Sequence, residues 1–491
     1  MFAGIDLGTS AVKAVLVDDG GAFVAEASAP LARSEPQPRW SEQRPDDWWD
    51  ATCAAVSALP ARSRAAVRGI GLGGQMHGAV PIDEQRNVIR PAILWNDGRA
   101  AAACRTFEAR EPDSRRLSAN LAMPGFTAPK LVWIAEHEPD AFARIAHVLL
   151  PKDWLRMRMG GELVSEPSDA SGTLWLDVAA RRWSERLLAA SGLALRHMPR
   201  LVEGNEPSCT LMSDAASALG LPAGVVIAGG GSDNAAGAAG IGIVGDGDAL
   251  LSLGTSGVIF VADAALRAGP ERAVHAFCHC VPATWHRMAV MLSCTATLAL
   301  AARIAGVDDE AALVSEVAAS RTPHPPRLVM LPYLNGERTP HNDAAACGVL
   351  FGLTASATRA DIGRAALEGV AFALADGLDA LEAAGPRIDS LAVIGGGSRS
   401  PHWGRIIAAA LGRTLRYPRQ GDIGAALGAA RLARAAVDRV GVADAFPQPP
   451  VDMTIEPDRG LADALAPRRA LFQALYADLA ARFTASAGDA A

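Results

Sequence analysis

The sequence predicts an α/β protein made of two comparable halves that face one another, and three observations carry that prediction. The tetrapeptide Leu-Gly-Thr-Ser occurs twice in the 491 residues, at 7–10 and 253–256, each time between two short apolar runs. An apolar run into three glycines and a serine also occurs twice, at 226–232 and 392–398. Between these marks strand-like and helix-like patterns alternate, which favours a mainly parallel, helix-covered sheet in each half.

The first device reads as strand, tight turn, strand: Ile5-Asp6-Leu7 enters it and Val12 to Val17 leave it. Glycine lets backbone N–H groups converge on an anion, and hydroxyls add donors without bulk, so Gly8, Thr9 and Ser10 form a candidate phosphate turn. Residues 48–59 and 64–68 predict helix ahead of a strand at 69–73, after which Gln75, Met76 and His77 lie at a strand end. The second doublet begins at Val226, and Ser232 is placed to cap a helix that begins with Asp233.

Glycine- and acid-rich residues 242–248 read as a hinge between the halves, and the second phosphate turn, Gly254, Thr255 and Ser256, follows at once. Residues 274–290 predict two paired strands joined at a proline. They also hold His275, Cys278, His279, Cys280 and His286, whose spacing lacks a Cys-x-x-Cys pair and is read as core rather than zinc site. Leu367, Val370, Leu374 and Leu378 recur at helical spacing within 365–381, and Gly395, Gly396 and Gly397 end the next strand. A proline-rich stretch at 447–450 leads to a last helix with Leu471, Leu475 and Leu479 on one face, read as a docked cap with a homodimer contact as the alternative. The interval from Leu7 to Gly229 exceeds that from Leu253 to Gly395, so the first half is expected to carry an insertion, and the substrate with it.

Composition limits the partners. Half the residues are hydrophobic and 20% are charged, with no uninterrupted apolar stretch long enough for a bilayer. The opening residues are not a signal peptide, because Asp6 interrupts the apolar run and no basic segment precedes it. A formal charge of −7 argues against nucleic acid, and seven cysteines without secretory context suggest reduced thiols in the cytoplasm. Lys13, Lys130 and Lys152 are the only lysines among 46 basic residues, so each is worth locating.

These turns, with 4–10, Gln75-Met76-His77-Gly78, 90–99, 123–133, 150–153, 233–238, 336–341, 348–368 and 424–430 in this order, resemble the FGGY carbohydrate kinases of the actin-like ATPase superfamily, and among them the kinases of D-xylulose. The resemblance spans almost the whole chain. It implies two actin-like, ribonuclease H-like domains flanking a cleft: residues 1–244 for the sugar and the base, 245–436 for ATP, and 437–491 as a tail docked on the second. It implies ATP-dependent phosphorylation of D-xylulose to D-xylulose 5-phosphate with Mg²⁺. A kinase of another pentulose or pentitol, such as D-ribulose or D-arabinitol, and more distantly a non-kinase actin-like ATPase, remain as alternatives.

The chemistry needs a base near the sugar hydroxyl, a cation on the phosphates and donors around the transferred group. Asp233 is the expected base, although a helix N-terminus favours the anion and so weakens it. Ser232 separates it from the glycines, a departure from the family pattern. Asp6 stands where the second turn has Ser252, and a carboxylate beside phosphates points to Mg²⁺ there. Lys13 is a candidate for a terminal phosphate, and Gly395–Gly397 for close approach of adenosine to the backbone. For the sugar, Gln75 and His77 offer donors and acceptors and Met76 an adaptable apolar wall, while Trp95, Asn96 and Asp97 offer an aromatic face, an amide and a carboxylate.

Overall fold

Each expected strand–turn–strand device forms an antiparallel pair at the centre of its own sheet in the computed structural model, which describes residues 1–320, 328–419 and 424–488. In the first half, β1 (Phe2–Leu7), β2 (Ala11–Val17), β3 (Phe23–Pro30), β4 (Gly69–Gly74), β5 (Pro207–Thr210) and β6 (Val226–Ala228) run in the order β5-β6-β4-β1-β2-β3, with β7 (Gly231–Ser232) beside the end of β4. In the second, β8 (Ala249–Leu253), β9 (Gly257–Asp263), β10 (His275–Cys278), β11 (Trp285–Met291), β12 (Ser390–Ile394), β13 (Thr414–Pro418) and β14 (Val451–Ile455) run in the order β10-β11-β9-β8-β12-β13-β14.

The two orders share one plan. Outward from β1 lie antiparallel β2 and β3 on one side and parallel β4 and β6, then antiparallel β5, on the other; outward from β8 lie β9 and β11, then β12, β13 and β14, with the same senses. Both sheets are therefore mixed rather than mainly parallel, because hairpins add antiparallel strands at both flanks of a parallel centre.

The topology also corrects the glycine doublet. Gly395–Gly397 follow β12, the direct neighbour of β8, whereas Gly229–Gly231 follow β6, which lies one strand further from β1. The counterpart of β12 is β4, so the two glycine runs end non-equivalent strands. A buried strand that must turn sharply favours glycine wherever it occurs, and local likeness does not fix register. Insertions accordingly sit at different crossovers: residues 75–206 between β4 and the β5–β6 pair in the first half, and 292–389 between β11 and β12 in the second.

The helices follow their terminal signals. In α1 (Pro45–Ser57), proline opens the first turn with Asp46 and Asp47, and Trp48, Ala51, Ala55 and Val56 are buried. α2 (Thr127–His137) and α3 (Pro151–Gly160) belong to the first insertion, and α4 (Asp233–Gly240) leaves β7. α5 (Thr295–Ala305) and α6 (Arg359–Ala383) belong to the second; α6 starts with a capping box between Thr358 and Asp361 and buries Leu367, Val370, Leu374 and Leu378. α7 (Ala425–Asp438) lies on the first sheet although it comes late in the chain. A Cβ on Gly4 or Gly71 would run into the carbonyl oxygens of Ala426 or Ala429, and one on Gly428 into that of Ala236 in α4. This backbone contact requires glycine.

The final helix, α8 (Arg459–Gly488), buries Leu465, Phe472 and Leu475 against the second half, with Leu471 and Leu479 partly buried beside them. Arg468 pairs with buried Glu368, and the Tyr476 ring stacks on His341 at 3.6 Å. Among the described residues no helix is long and apolar enough to cross a membrane.

Candidate active site

Asp6 is the one carboxylate of β1, in register with Lys13 on β2 and Gly73 on β4. Its Oδ1 is buried without a hydrogen-bond partner. Burial, then the charge of Asp233, pushes its pKa from 3.8 up to about 7, with Lys13 acting in opposition. Lys13 also faces Glu26 at 3.5 Å. The turn beyond is closed by Gly8 N–H donating to Ala11 O at 3.1 Å. Thr9 is braced from two sides: its hydroxyl donates to Gln75 Oε1 at 3.1 Å and accepts from Trp95 Nε1 at 2.9 Å.

Asp233 projects from the first turn of α4. Ser232 occupies the cap, its Oγ accepting from Ala235 N–H at 3.4 Å, so the Asp233 carboxylate is not the capping group. Ser232 N–H donates to Ser168 Oγ at 2.9 Å, and that hydroxyl donates to Glu166 Oε1 at 2.9 Å. Beneath them Lys152 reaches Asp153 at 2.8 Å and Asp169 at 3.2 Å, while Arg156 holds the Gly229 carbonyl, so a fully buried ionic platform fixes the strand end. Asp233 Oδ1 accepts from Asn234 N–H at 2.7 Å and from its side-chain amide at 2.8 Å. Burial raises the carboxyl from 3.8 to about 6 against those two bonds. Desolvation therefore outweighs the stabilisation expected at a helix N-terminus.

Asp233 opens into a cavity of about 180 Å³ whose lining includes Met76, His77, Trp95, Asn234 and Ser256. His77 has φ +70°, a left-handed conformation rare for a side chain of this size. Three contacts hold it there: its carbonyl accepts from Lys130 Nζ at 2.7 Å and Thr127 Oγ1 at 3.1 Å, and its Nδ1–H donates to Gly172 O at 2.6 Å. Burial lowers the imidazole to about 3, so the ring is neutral and Nε2 can accept.

Three residues expected at the sugar do not line this cavity. Gln75 is spent on Thr9 and Gln43, and Asp97 is buried in an ion pair with Arg99 at 2.7 Å while accepting from Ser41 N–H. Asn96 is exposed outside the lining. Polar residues at a strand end can brace the backbone as readily as face a ligand, and spacing does not separate the two roles.

Sequence reasoning assigned no role to the residues that complete the wall. Met123, Gly125 and Phe126 come from the first insertion, and His275, Phe277, Met288, Val290 and Arg338 from the second half. The first set lay in the family block 123–133, and Arg338 in the block 336–341. His275, Phe277 and Met288 form the hairpin read as core, which they also are, with His275 stacked on Phe277 at 5.5 Å.

The second turn lies between two spaces. Ser256 faces the cavity of Asp233, while Thr255 faces an open cleft of about 570 Å³ that is also lined by Thr295, Arg303, Leu334 and Asn335. Gly254 O and Thr255 O accept from Thr295 and Cys294 N–H at the start of α5, which fixes the turn. Of the three glycines after β12, Gly395 is required by φ +86° and by Leu253 O, 2.9 Å from a Cβ placed there, and Gly397 by Trp403. Only Gly396 faces open space.

A divalent cation suits Asp6. The unpartnered oxygen, the second carboxylate that raises its pKa and the hard oxygen donors fit Mg²⁺, which takes one or two protein carboxylates and completes its shell with water and phosphate. Among the described residues no group of three or more His, Cys, Asp or Glu forms an all-protein metal cage.

Comparison with known proteins gives concordant results. Residues 1–240 match the N-terminal domain and 249–437 the C-terminal domain of the FGGY family of carbohydrate kinases. The chain is 48% identical to the xylulose kinase of Escherichia coli strain K12 and 47% to that of Klebsiella pneumoniae, in each case over 98% of this chain and 99% of the relative. Among solved structures, a "xyloylose kinase" from Brucella ovis matches with a TM-score of 0.94 at 46% identity, covering 98% of this chain and 99% of that one.

Proposed function

The chain belongs to the FGGY family of carbohydrate kinases, which use ATP, and from that premise we propose that it phosphorylates D-xylulose to D-xylulose 5-phosphate in the cytoplasm. The likeness to xylulose kinases over nearly the whole chain supports the substrate. One observation carries the reaction type: a single backbone turn, 253–256, separates a cavity holding a raised carboxylate from an open cleft. The sugar occupies the first space and the nucleotide the second, so that the terminal phosphate meets the sugar hydroxyl beside Asp6 and Asp233.

Asp233 accepts the C5 hydroxyl proton as that oxygen attacks the terminal phosphorus, the bond to the bridging oxygen breaks, and ADP leaves with the electron pair. Its raised pKa makes it a better base than an exposed aspartate, yet leaves it mostly ionised at neutral pH. Met76, His77 and Trp95 enclose the sugar and exclude water, which would otherwise compete for the phosphoryl group. Gly8, Thr9 and Ser10 on one side and Gly254, Thr255 and Ser256 on the other present backbone and hydroxyl donors to phosphate, with Lys13 as a nearby positive charge. Gly396 offers an open backbone surface to adenosine. Asp6 would hold Mg²⁺, which when bound neutralises phosphate charge.

ADP release measured with D-xylulose, D-ribulose, D-arabinitol and no sugar tests this reading. D-xylulose is expected to give the highest kcat/KM, with only slow release in its absence. Equal release with and without every sugar would reduce the protein to a non-kinase ATPase.

A further inference from the structure

The wall of the sugar cavity supplied by the second half carries a positive charge that the transfer chemistry does not use. Arg338 is held to β11 by its neighbours: Glu337 Oε1 accepts from Leu292 N–H at 2.9 Å and from Arg338 N–H at 2.7 Å, and Thr339 Oγ1 accepts from Val290 N–H at 3.1 Å. Its guanidinium lines the cavity, and among the described residues no carboxylate lies within ion-pair distance of it.

Donor and acceptor logic fixes what surrounds it. A guanidinium only donates, so in its 3.3 Å contact with His275 the Nε2 atom accepts. The proton of His275 is therefore on Nδ1, which donates to Asn120 Oδ1 at 3.2 Å. The orientation of Asn120 is set in turn, because its amide nitrogen donates to the carbonyls of Ser118 at 2.8 Å and Ala276 at 2.7 Å. Every hydrogen-bonding atom of His275 and Asn120 is thus committed, and what this corner still offers a ligand is N–H from Arg338.

Arg338 and His275 come from the second half and Asp233 from α4 of the first, and all three line this one cavity. With one end of the sugar at Asp233, the far wall within this cavity is open to its C1–C2 end.

We propose that Arg338 determines specificity for the ketone end of the sugar, its guanidinium donating to the C2 carbonyl oxygen of an open-chain 2-ketose while His77 Nε2 accepts from a neighbouring hydroxyl. This rests on the pentulose kinase reading above. A carbonyl oxygen brings lone pairs and no hydrogen, which matches a corner of donors. A hydroxyl at C2 brings a hydrogen for which neither Arg338 nor His275 has an acceptor, and an unpaired buried donor costs binding.

Steady-state kinetics of Arg338→Gln and Arg338→Lys test this, with D-xylulose and with each pentitol formed by reducing its C2 carbonyl, xylitol and D-arabinitol. For Arg338→Gln, KM for D-xylulose is expected to rise about 10–100-fold, with kcat changed only a few-fold and KM for ATP and the pentitols unchanged, so that preference for the ketose is lost. Arg338→Lys should recover part of it. Equal losses on ketose and pentitol, or a loss confined to kcat or to KM for ATP, would overturn the assignment. If Arg338→Gln fails to fold, Arg338→Lys and the wild type decide: equal wild-type KM for ketose and pentitol also overturns it. Wild-type enzyme inactive on D-xylulose removes the proposed function and this inference with it, an outcome distinct from an active wild type with an indifferent Arg338 variant.

Discussion

Replacing Asp233 by asparagine is expected to lower turnover and raise stability together, because one cause, burial of a carboxylate, underlies both. The amide keeps the shape and can still accept from Asn234 N–H, but it cannot take a proton. Turnover should fall by ~10²–10⁴-fold, with KM for sugar changed only a few-fold. The stability change follows from the pKa, which stands at about 6 in the folded chain against 3.8 as the reference value. The folded protein binds that proton more tightly than the unfolded chain does, so stability is full below pH ~4, declines as pH rises to about 6 and stays reduced above it. The gap corresponds to ~3 kcal/mol, which asparagine does not forfeit. Thermal melts at pH 7.5 should place Asp233→Asn several degrees above wild type, and the difference should shrink toward pH 4.5. Wild-type kcat/KM for sugar should carry an acid limb between pH 6 and 7 that belongs to the Asp6–Asp233 pair. Near-normal turnover would remove Asp233 as the base, and a lower melting temperature at pH 7.5 would refute the burial argument.

Asp6→Asn should weaken the response to Mg²⁺ and shift the acid limb downward, since it removes the carboxyl that burial and the charge of Asp233 raise to about 7; a metal titration overlaying wild type would contradict the assignment. Gly71→Ala is expected to destabilise by about 3 kcal/mol or more, because the new methyl meets the Ala429 carbonyl in both rigid elements, and soluble yield with melting temperature reads it. Gly396→Ala should leave the melting temperature within about a degree, having no atom within 4 Å of its new methyl, while raising KM for ATP several-fold; an unchanged KM would move adenosine off this surface.

Local chemistry was legible where one short segment sets the geometry. Two strands joined by Gly-Thr-Ser form a hairpin, and a serine before an aspartate at a helix start announces a cap, so both hairpin turns and the start of α4 at Asp233 could be read directly. Long-range pairing was not. The glycine runs after β6 and β12 look alike because both end buried strands, and only hydrogen bonding to β4 and β8 shows that they are not counterparts. Side-chain direction was the other blind point: Gln75 and Asp97 have the composition of sugar ligands but turn toward Thr9 and Arg99. Conversely, His275 and Phe277 are core and cavity wall at once, which a pattern of burial alone assigns to the core.

The glycine contacts of α7 have a bearing on how the chain is made. A face of the first sheet, complete in its main strands once residue 228 has emerged, is covered by a helix synthesised some two hundred residues later. At ~5–20 residues per second, translation leaves that face bare for roughly 10–40 s. The face that α7 covers carries Phe2, Val15 and Val17, all inaccessible to water in the finished protein, so the nascent chain has an apolar surface to shield during that interval. Synonymous slow codons between 228 and 438 would lengthen the exposure without changing one residue of the product. The yield of folded enzyme then depends on translation speed and on chaperone supply as well as on the stability of the native state.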